Sequence, residues 1–187
     1  MIACKTENNV ALGERWNTVL KIGPMGEYPH LQQYFLPLMC QQCENAPCID
    51  VCPTGASYRD EADGTVQVDG AGCIGCMSCI EACPYGVRNW NEKAGYVDKC
   101  TLCHDKIGTG EQPLCVATCC AEARYWGDID DPESDISKAM AAKADSVHRL
   151  PDSGNGPSTF YLLSGKYATW QEGMPEPTYT RYVQYNV

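Results

Sequence analysis

Cysteine recurs in this chain at intervals too regular for chance, and those intervals restrict what it can fold around. Between residues 40 and 120 stand three quartets: Cys40-x2-Cys43-x4-Cys48-x3-Cys52-Pro53, Cys73-x2-Cys76-x2-Cys79-x3-Cys83-Pro84 and Cys100-x2-Cys103-x11-Cys115-x3-Cys119. Three cysteines spaced by two residues wrap a tight loop around one small object. The last of each quartet, expected at the start of a short helix, points away towards a neighbouring one. Fourteen cysteines in 187 residues approach the density of a cysteine-built scaffold, and phenylalanine occurs only twice. A conventional apolar core is therefore thin, and something held by sulfur is expected to replace part of it.

The middle quartet has the spacing C-x2-C-x2-C-x3-C-P, which binds four-iron clusters. Gly75 lets the backbone come close to such a cluster, so that backbone N–H groups can donate to its sulfurs. The first quartet is the same device with a longer second gap. The long gap of the last holds Gly108 and Gly110, as a loop bulging between ligands would. Seven disulfides in a secreted scaffold are the alternative for fourteen cysteines, but tandem near-regular quartets argue against them. Structural zinc uses two separated pairs. It fits the middle motifs poorly and the looser set Cys100, Cys103, Cys115 with Cys4 or Cys119 somewhat better.

Cys4 stands apart, with no other cysteine before Cys40. It reads as the last cysteine of a first motif whose other three would precede Met1, and the expectation is a chain truncated at its start. Four motifs need sixteen cysteines; thirteen are present in motif positions, and Cys120 is the fourteenth. An internal repeat supports the modular reading. Cys52-Pro53-Thr54-Gly55-Ala56 recurs as Cys83-Pro84-Tyr85-Gly86-Val87, and each is followed by a β-prone piece, 65–69 and 95–98.

Elsewhere, 1–39 is one short region with turn signals at Gly23-Pro24 and Tyr28-Pro29. Residues 128–145 are predicted helical, with Asp131 as N-cap, Pro132 in the first turn and Ile136, Ala139, Met140 and Lys143 at helical spacing. Pro151–Pro157 is a loop and 159–163 a strand. The formal charge of −10 argues against a nucleic-acid partner. No run of about 20 apolar residues is present to span a membrane. The first residues do not read as a secretory signal.

With these residues in view, the chain resembles the four-cluster iron–sulfur subunits of the molybdopterin oxidoreductases that reduce dimethyl sulfoxide, polysulfide, thiosulfate and tetrathionate. The resemblance rests on Cys4-Lys5-Thr6-Glu7-Asn8, on 40–48, Cys52–Ala56 and Cys83–Gly86, on Lys99–Cys103, and on Gly127-Asp128 and Phe160-Tyr161-Leu162 near the end. It implies an α+β fold: tandem ferredoxin-like dicluster modules with small antiparallel sheets and short helices, plus a C-terminal helix and aromatic-rich extension. The implied organisation is an outer half from 1–36 and 97–127, an inserted dicluster domain at 37–96, and a partner-docking extension at 128–187.

Such subunits pair motif one with four and two with three, each exchanging its last cysteine. That implies one [4Fe-4S] cluster on Cys40, Cys43, Cys48 and Cys83, a second on Cys73, Cys76, Cys79 and Cys52, and a third on Cys100, Cys103, Cys115 and Cys4. A fourth would keep Cys119 and be expected only if a missing N-terminus were restored. Cys120 stands where proline is frequent in such subunits; it reads as a small buried residue, with a substitute ligand as the alternative. The resemblance also implies electron transfer to a large molybdopterin catalytic subunit, no catalytic residues in this chain, a membrane anchor as a further partner, and no transmembrane segment of its own. The implied location is peripheral to the cytoplasmic membrane, on the outer face by export with a partner, the cytoplasmic face being the alternative. A free polyferredoxin carrier is the competing function. A radical enzyme would need an isolated C-x3-C-x2-C triplet, which is not found.

His30, His104 and His148 are scattered and read as structural or surface residues. Lys99 and Lys106 flank the last quartet, either tuning a cluster or sitting in solvent. Tyr167, Trp170, Tyr179, Tyr182 and Tyr185 are candidates for docking on the catalytic subunit, with packing on the chain's own core as the alternative.

Overall fold

The computed structural model describes residues 1–163. The five tail aromatics beyond lie outside the described residues. Every sheet in the described part is a two-stranded antiparallel ribbon. A short helix α1 (Ile2–Glu7) precedes the hairpin of β1 (Asn17–Met25) and β2 (Gln32–Met39). Then follow α2 (Pro47–Asp50), β3 (Ser57–Arg59) with β4 (Val66–Val68), α3 (Ser78–Glu81), and β5 (Asn89–Asn91) with β6 (Tyr96–Asp98). Two one-turn helices, α4 (His104–Ile107) and α5 (Leu114–Ala117), lead to α6 (Asp135–Ala142). The pair β7 (Val147–His148) and β8 (Tyr161–Leu162) closes the described chain.

The sequence repeat becomes a structural one. Each x3-C-P segment is a one-turn helix followed by a small hairpin: α2 with β3–β4, then α3 with β5–β6. Side chains make both hairpin turns. Asp60 accepts from the Ala62 N–H and Asp63 from the Thr65 N–H in the first. Asn91 accepts from the Ala94 N–H in the second. Asp and Asn favour turns because a short acceptor can close on the backbone two or three residues on. The β-prone pieces expected from sequence are β4 and β6. The last cysteine of each motif, expected at a helix start, instead lies just beyond the helix: Cys52 follows α2 and Cys83 follows α3, while Cys48 and Cys79 sit inside them.

The region before Cys40, legible only through its prolines, is the long β1–β2 hairpin, with Gly23–Pro24 and Tyr28–Pro29 as cis peptides near its tip. Along β2, Leu36 and Leu38 are buried while Phe35 is exposed, the period of a half-buried strand. The helix expected over 128–145 is shorter. Asp131 turns its carboxylate to the Glu133 N–H in a preceding turn, and Ser134 is the N-cap, its hydroxyl accepting from the Ser137 N–H. The strand expected over 159–163 is reduced to β8.

The core is small and rich in sulfur. Leu36, Leu38, Val66, Val87, Val97, Leu150 and Tyr161 form one buried cluster with Cys40, Cys43, Cys48, Cys79 and Cys100.

Candidate functional site

Three groups of four cysteines come together, each from segments distant in sequence. The first gathers Cys40, just past β2, with Cys43, Cys48 and Cys83, near enough that the other three all hinder ionisation of Cys43. Burial is the larger effect there, and together they push the Cys43 thiol up to about 11, against a hydrogen bond from Asn155 that favours the thiolate. Burial also raises Cys83, partly offset by the N–H groups of Val87 and Tyr85.

The second group, Cys52, Cys73, Cys76 and Cys79, lines one cavity together with Ile74, Arg88 and Val97. Burial acts to raise Cys52, but the N–H of Ser57 at 3.3 Å and the hydroxyl of Thr54 outweigh it and hold that thiol below its ordinary value. The Ser78 hydroxyl and N–H lower Cys76 in the same way.

The third group, Cys4, Cys100, Cys103 and Cys115, lines a second cavity with Asn8, Trp16 and Pro113. Burial, then repulsion from Cys103 and Cys115, pushes Cys4 up to about 11. Burial pushes Cys100 up to about 12. The Asn8 amide donates to the Cys103 sulfur at 3.6 Å.

The backbone explains how a two-residue gap brings sulfurs together. The residue before the second cysteine of each quartet is in the left-handed region: Gln42 at φ 49°, Gly75 at φ 70° and Leu102 at φ 57°. One such residue reverses the chain's curvature and folds the loop back on itself. Glycine adopts this readily; Gln42 and Leu102 are held in it against an intrinsic cost of roughly 1–2 kcal/mol each. At Gly75 a Cβ would also meet the Trp90 ring at 3.0 Å.

Cys119 joins none of these groups. Its sulfur accepts from the Ala123 N–H at 3.4 Å, which holds the thiol below its ordinary value. This is the backbone environment found at Cys52. Cys120, expected to be buried, is exposed, because the turn after α5 directs it outward. All fourteen cysteines are free of disulfides.

Sequence reasoning missed two side chains that reach the sulfurs. Arg88, buried, donates from Nη2 to the Cys48 sulfur at 2.9 Å and to the Ser57 hydroxyl at 2.7 Å. Asn155, buried in the loop after β7, donates to the Cys43 sulfur at 3.1 Å and to the Tyr85 hydroxyl at 2.8 Å. Their only signal was polarity, in the unassigned stretch before β5 for Arg88 and in the 151–157 loop for Asn155. Lys99 is only 1% exposed; its ammonium donates to the carbonyls of Val66 and Cys100. It is therefore no solvated residue, whereas Lys106 pairs with Glu7 and Glu111 near the surface. His104 lies between Asp60 and Asp63 on a partly exposed edge.

This donor set fits iron–sulfur clusters. Crowded, buried thiols such as Cys4, Cys43 and Cys100 resist ionising alone, and N–H donors turned to the sulfurs support thiolates once a metal centre neutralises them. Together with the repeated hairpin modules, this defines an iron–sulfur protein of ferredoxin-like build. The profile of the 4Fe-4S dicluster domain matches residues 31–129. A Halobacterium salinarum protein named as a dimethyl sulfoxide reductase iron–sulfur subunit is 40% identical, over 86% of this chain and 72% of its own. The thiosulfate reductase electron transfer subunit PhsB of Salmonella typhi is 40% identical over 86% of this chain and 82% of its own. The arsenate respiratory reductase iron–sulfur subunit ArrB of a Shewanella species is 31% identical over 87% of this chain and 89% of its own. The chain belongs to the 4Fe-4S dicluster family, among the iron–sulfur subunits of respiratory reductases.

Proposed function

We propose that this chain is the electron-transfer subunit of a molybdopterin-dependent reductase and carries a row of [4Fe-4S] clusters to that enzyme's catalytic subunit. The observation that carries this is the gathering of twelve cysteines into three quartets, each drawn from distant segments. In this reading one cluster is held by Cys40, Cys43, Cys48 and Cys83, the next by Cys73, Cys76, Cys79 and Cys52, and the third by Cys100, Cys103, Cys115 and Cys4. Cys119 is a ligand of a fourth, whose other thiolates are not in this sequence. Such groups supply one-electron redox chemistry when bound. The chain's residues fix their positions, exclude water from them and set the polarity around them.

The modular division follows the same pairing: 1–36 with 97–127 as one half, 37–96 as the other, and 128–187 as the part available for docking. Substrate chemistry belongs to the partner. A membrane anchor supplies or receives electrons, and the complex is peripheral to the membrane, on its outer face. Among the described residues no helix is long and apolar enough to cross a membrane, which is compatible with that placement.

The test is anaerobic purification from the native source, with iron, acid-labile sulfide and molybdenum counted per complex. About twelve irons per chain, or about sixteen with a fourth cluster, in a complex containing a large molybdenum subunit is expected. An iron–sulfur chain that purifies alone, at full iron, is a free polyferredoxin and sinks the subunit reading. Zinc in place of iron sinks both.

A further inference from the structure

Arg88 stands between the first two cysteine groups and bonds directly to sulfur. It lies immediately before β5 and is 4% exposed. Its Nη2 donates to Cys48, a member of the first quartet, and to Ser57. The guanidinium also lines the cavity formed by Cys52, Cys73, Cys76 and Cys79, the second quartet, and opposes the rise that burial imposes on Cys79. A buried guanidinium is strongly destabilising unless an anion compensates it. Among the described residues Arg88 makes no ion pair with a carboxylate. Its Nη1 is buried with no hydrogen-bond partner among them. An arginine placed between sulfur groups, without a carboxylate and with a donor to spare, is matched to anions that the two quartets hold.

We propose that Arg88 is a shared positioning and tuning residue of the two clusters held by these quartets: its charge is compensated by both, and it raises the reduction potential of both together. This rests on the ligand sets proposed above. The physical ground is simple. Taking up an electron adds negative charge to a cluster, and a fixed cation beside it in a poorly screened interior favours the reduced state. One cation bonded to a ligand of one cluster and lining the cavity of the other's ligands shifts the two couples in the same direction. It also keeps either of them from becoming a sink or a barrier relative to its neighbour.

The test is an EPR-monitored redox titration of the intact complex carrying Arg88→Gln or Arg88→Lys, with iron counted on the same samples. In Arg88→Gln two couples are expected to fall together by at least about tenfold in reduced-to-oxidised ratio at a given potential, which is about 59 mV for a one-electron couple. The remaining couples stay in place. Arg88→Lys keeps the charge but not the fork, and its two couples are expected to lie closer to the wild-type values. Full iron with all couples unmoved in Arg88→Gln overturns the proposal, as does a shift in one couple alone or in all of them. If Arg88→Gln fails to retain iron, Arg88→Lys decides. A loaded Lys variant with two couples displaced and the rest unchanged supports the tuning role, and one that also loses iron makes Arg88 a folding residue only. A wild-type complex lacking the expected iron fails the cluster assignment itself, separately from any shift.

Discussion

Asn155 shows how single side chains complete a site that spacing alone outlines. It sits 112 residues from the cysteine it bonds, in a segment recognisable from sequence only as a loop. Its carbonyl oxygen accepts from the Ser153 N–H, which fixes the amide so that its NH2 group meets Cys43 and Tyr85. The backbone of the same loop is tied to the first quartet, through Glu44 N–H to Gly156 O and Asn45 N–H to Asn155 O. Asn155→Leu keeps the volume and removes the donor, leaving the buried Cys43 sulfur without it while the Tyr85 hydroxyl keeps its bond to the Pro151 carbonyl, at a cost of about 1–3 kcal/mol. For a chain of this size that lowers the midpoint of thermal bleaching of the cluster absorbance by about 2–4 °C per kcal/mol. Asn155→Asp is expected to be worse, since a carboxylate offers no N–H and adds charge beside thiolates. Visible absorbance followed through a thermal ramp checks both, and an Asp variant as stable as wild type would remove the donor role.

At the scale of elements, what could be read from sequence and what could not have separate physical causes. The quartets were legible because their gaps are a local property: a short loop with one left-handed residue brings its sulfurs together whatever surrounds it. β4 and β6 were legible because they are β-prone pieces between turn residues and cysteines. The β1–β2 hairpin was not, because Gly23-Pro24 lies within β1 and Pro37 within β2, and proline inside a run demotes a strand reading. The sulfur contacts of Arg88 and Asn155 could not be read either, since each joins segments 40 or more residues apart. Another such meeting joins the turn after α1 to β6. There the Glu14 carboxyl faces Asp98, with Lys5 and Glu92 also near, and Asn91 donating to Asp98. Burial and then Asp98 raise Glu14 from 4.5 to about 7. The folded chain therefore keeps a proton that the unfolded chain releases near 4.5. The stability this contributes is full below that pH and is lost as pH rises through about 7. Denaturation midpoints of the loaded protein from pH 5 to 8 are expected to fall more steeply in wild type than in Glu14→Gln. Parallel curves would show that Glu14 does not hold a proton in the folded chain.

The whole molecule has little to stand on besides its sulfur. Among the described residues its longest helix, α6, has eight residues and contributes no fully buried side chain, and every sheet has two strands. Isolated two-stranded ribbons are marginal in water, and one-turn helices do not sustain their own nucleation. Among the described residues the buried apolar packing forms one cluster in which cysteine sulfur is a major part. On the proposed ligand sets each metal centre closes a long loop: Cys4 to the segment from Cys100 to Cys115, Cys83 to that from Cys40 to Cys48, and Cys52 to that from Cys73 to Cys79. Loading is then a folding event, as in small metal-dependent domains. Without metal the quartets are opposed thiols around sulfur-lined cavities, and single hydrogen bonds such as Arg88 to Cys48 and Asn8 to Cys103 are left to close those loops. Anaerobic removal of iron with a chelator is expected to abolish the near-ultraviolet circular dichroism and the cooperative thermal transition together. Reconstitution with iron and sulfide is expected to restore both. An iron-free chain that keeps a sharp transition would mean that Leu36, Val66, Val97 and their neighbours suffice as a core. The clusters would then be passengers in a finished fold, and substitutions at single ligands would cost one redox couple each and leave stability unchanged.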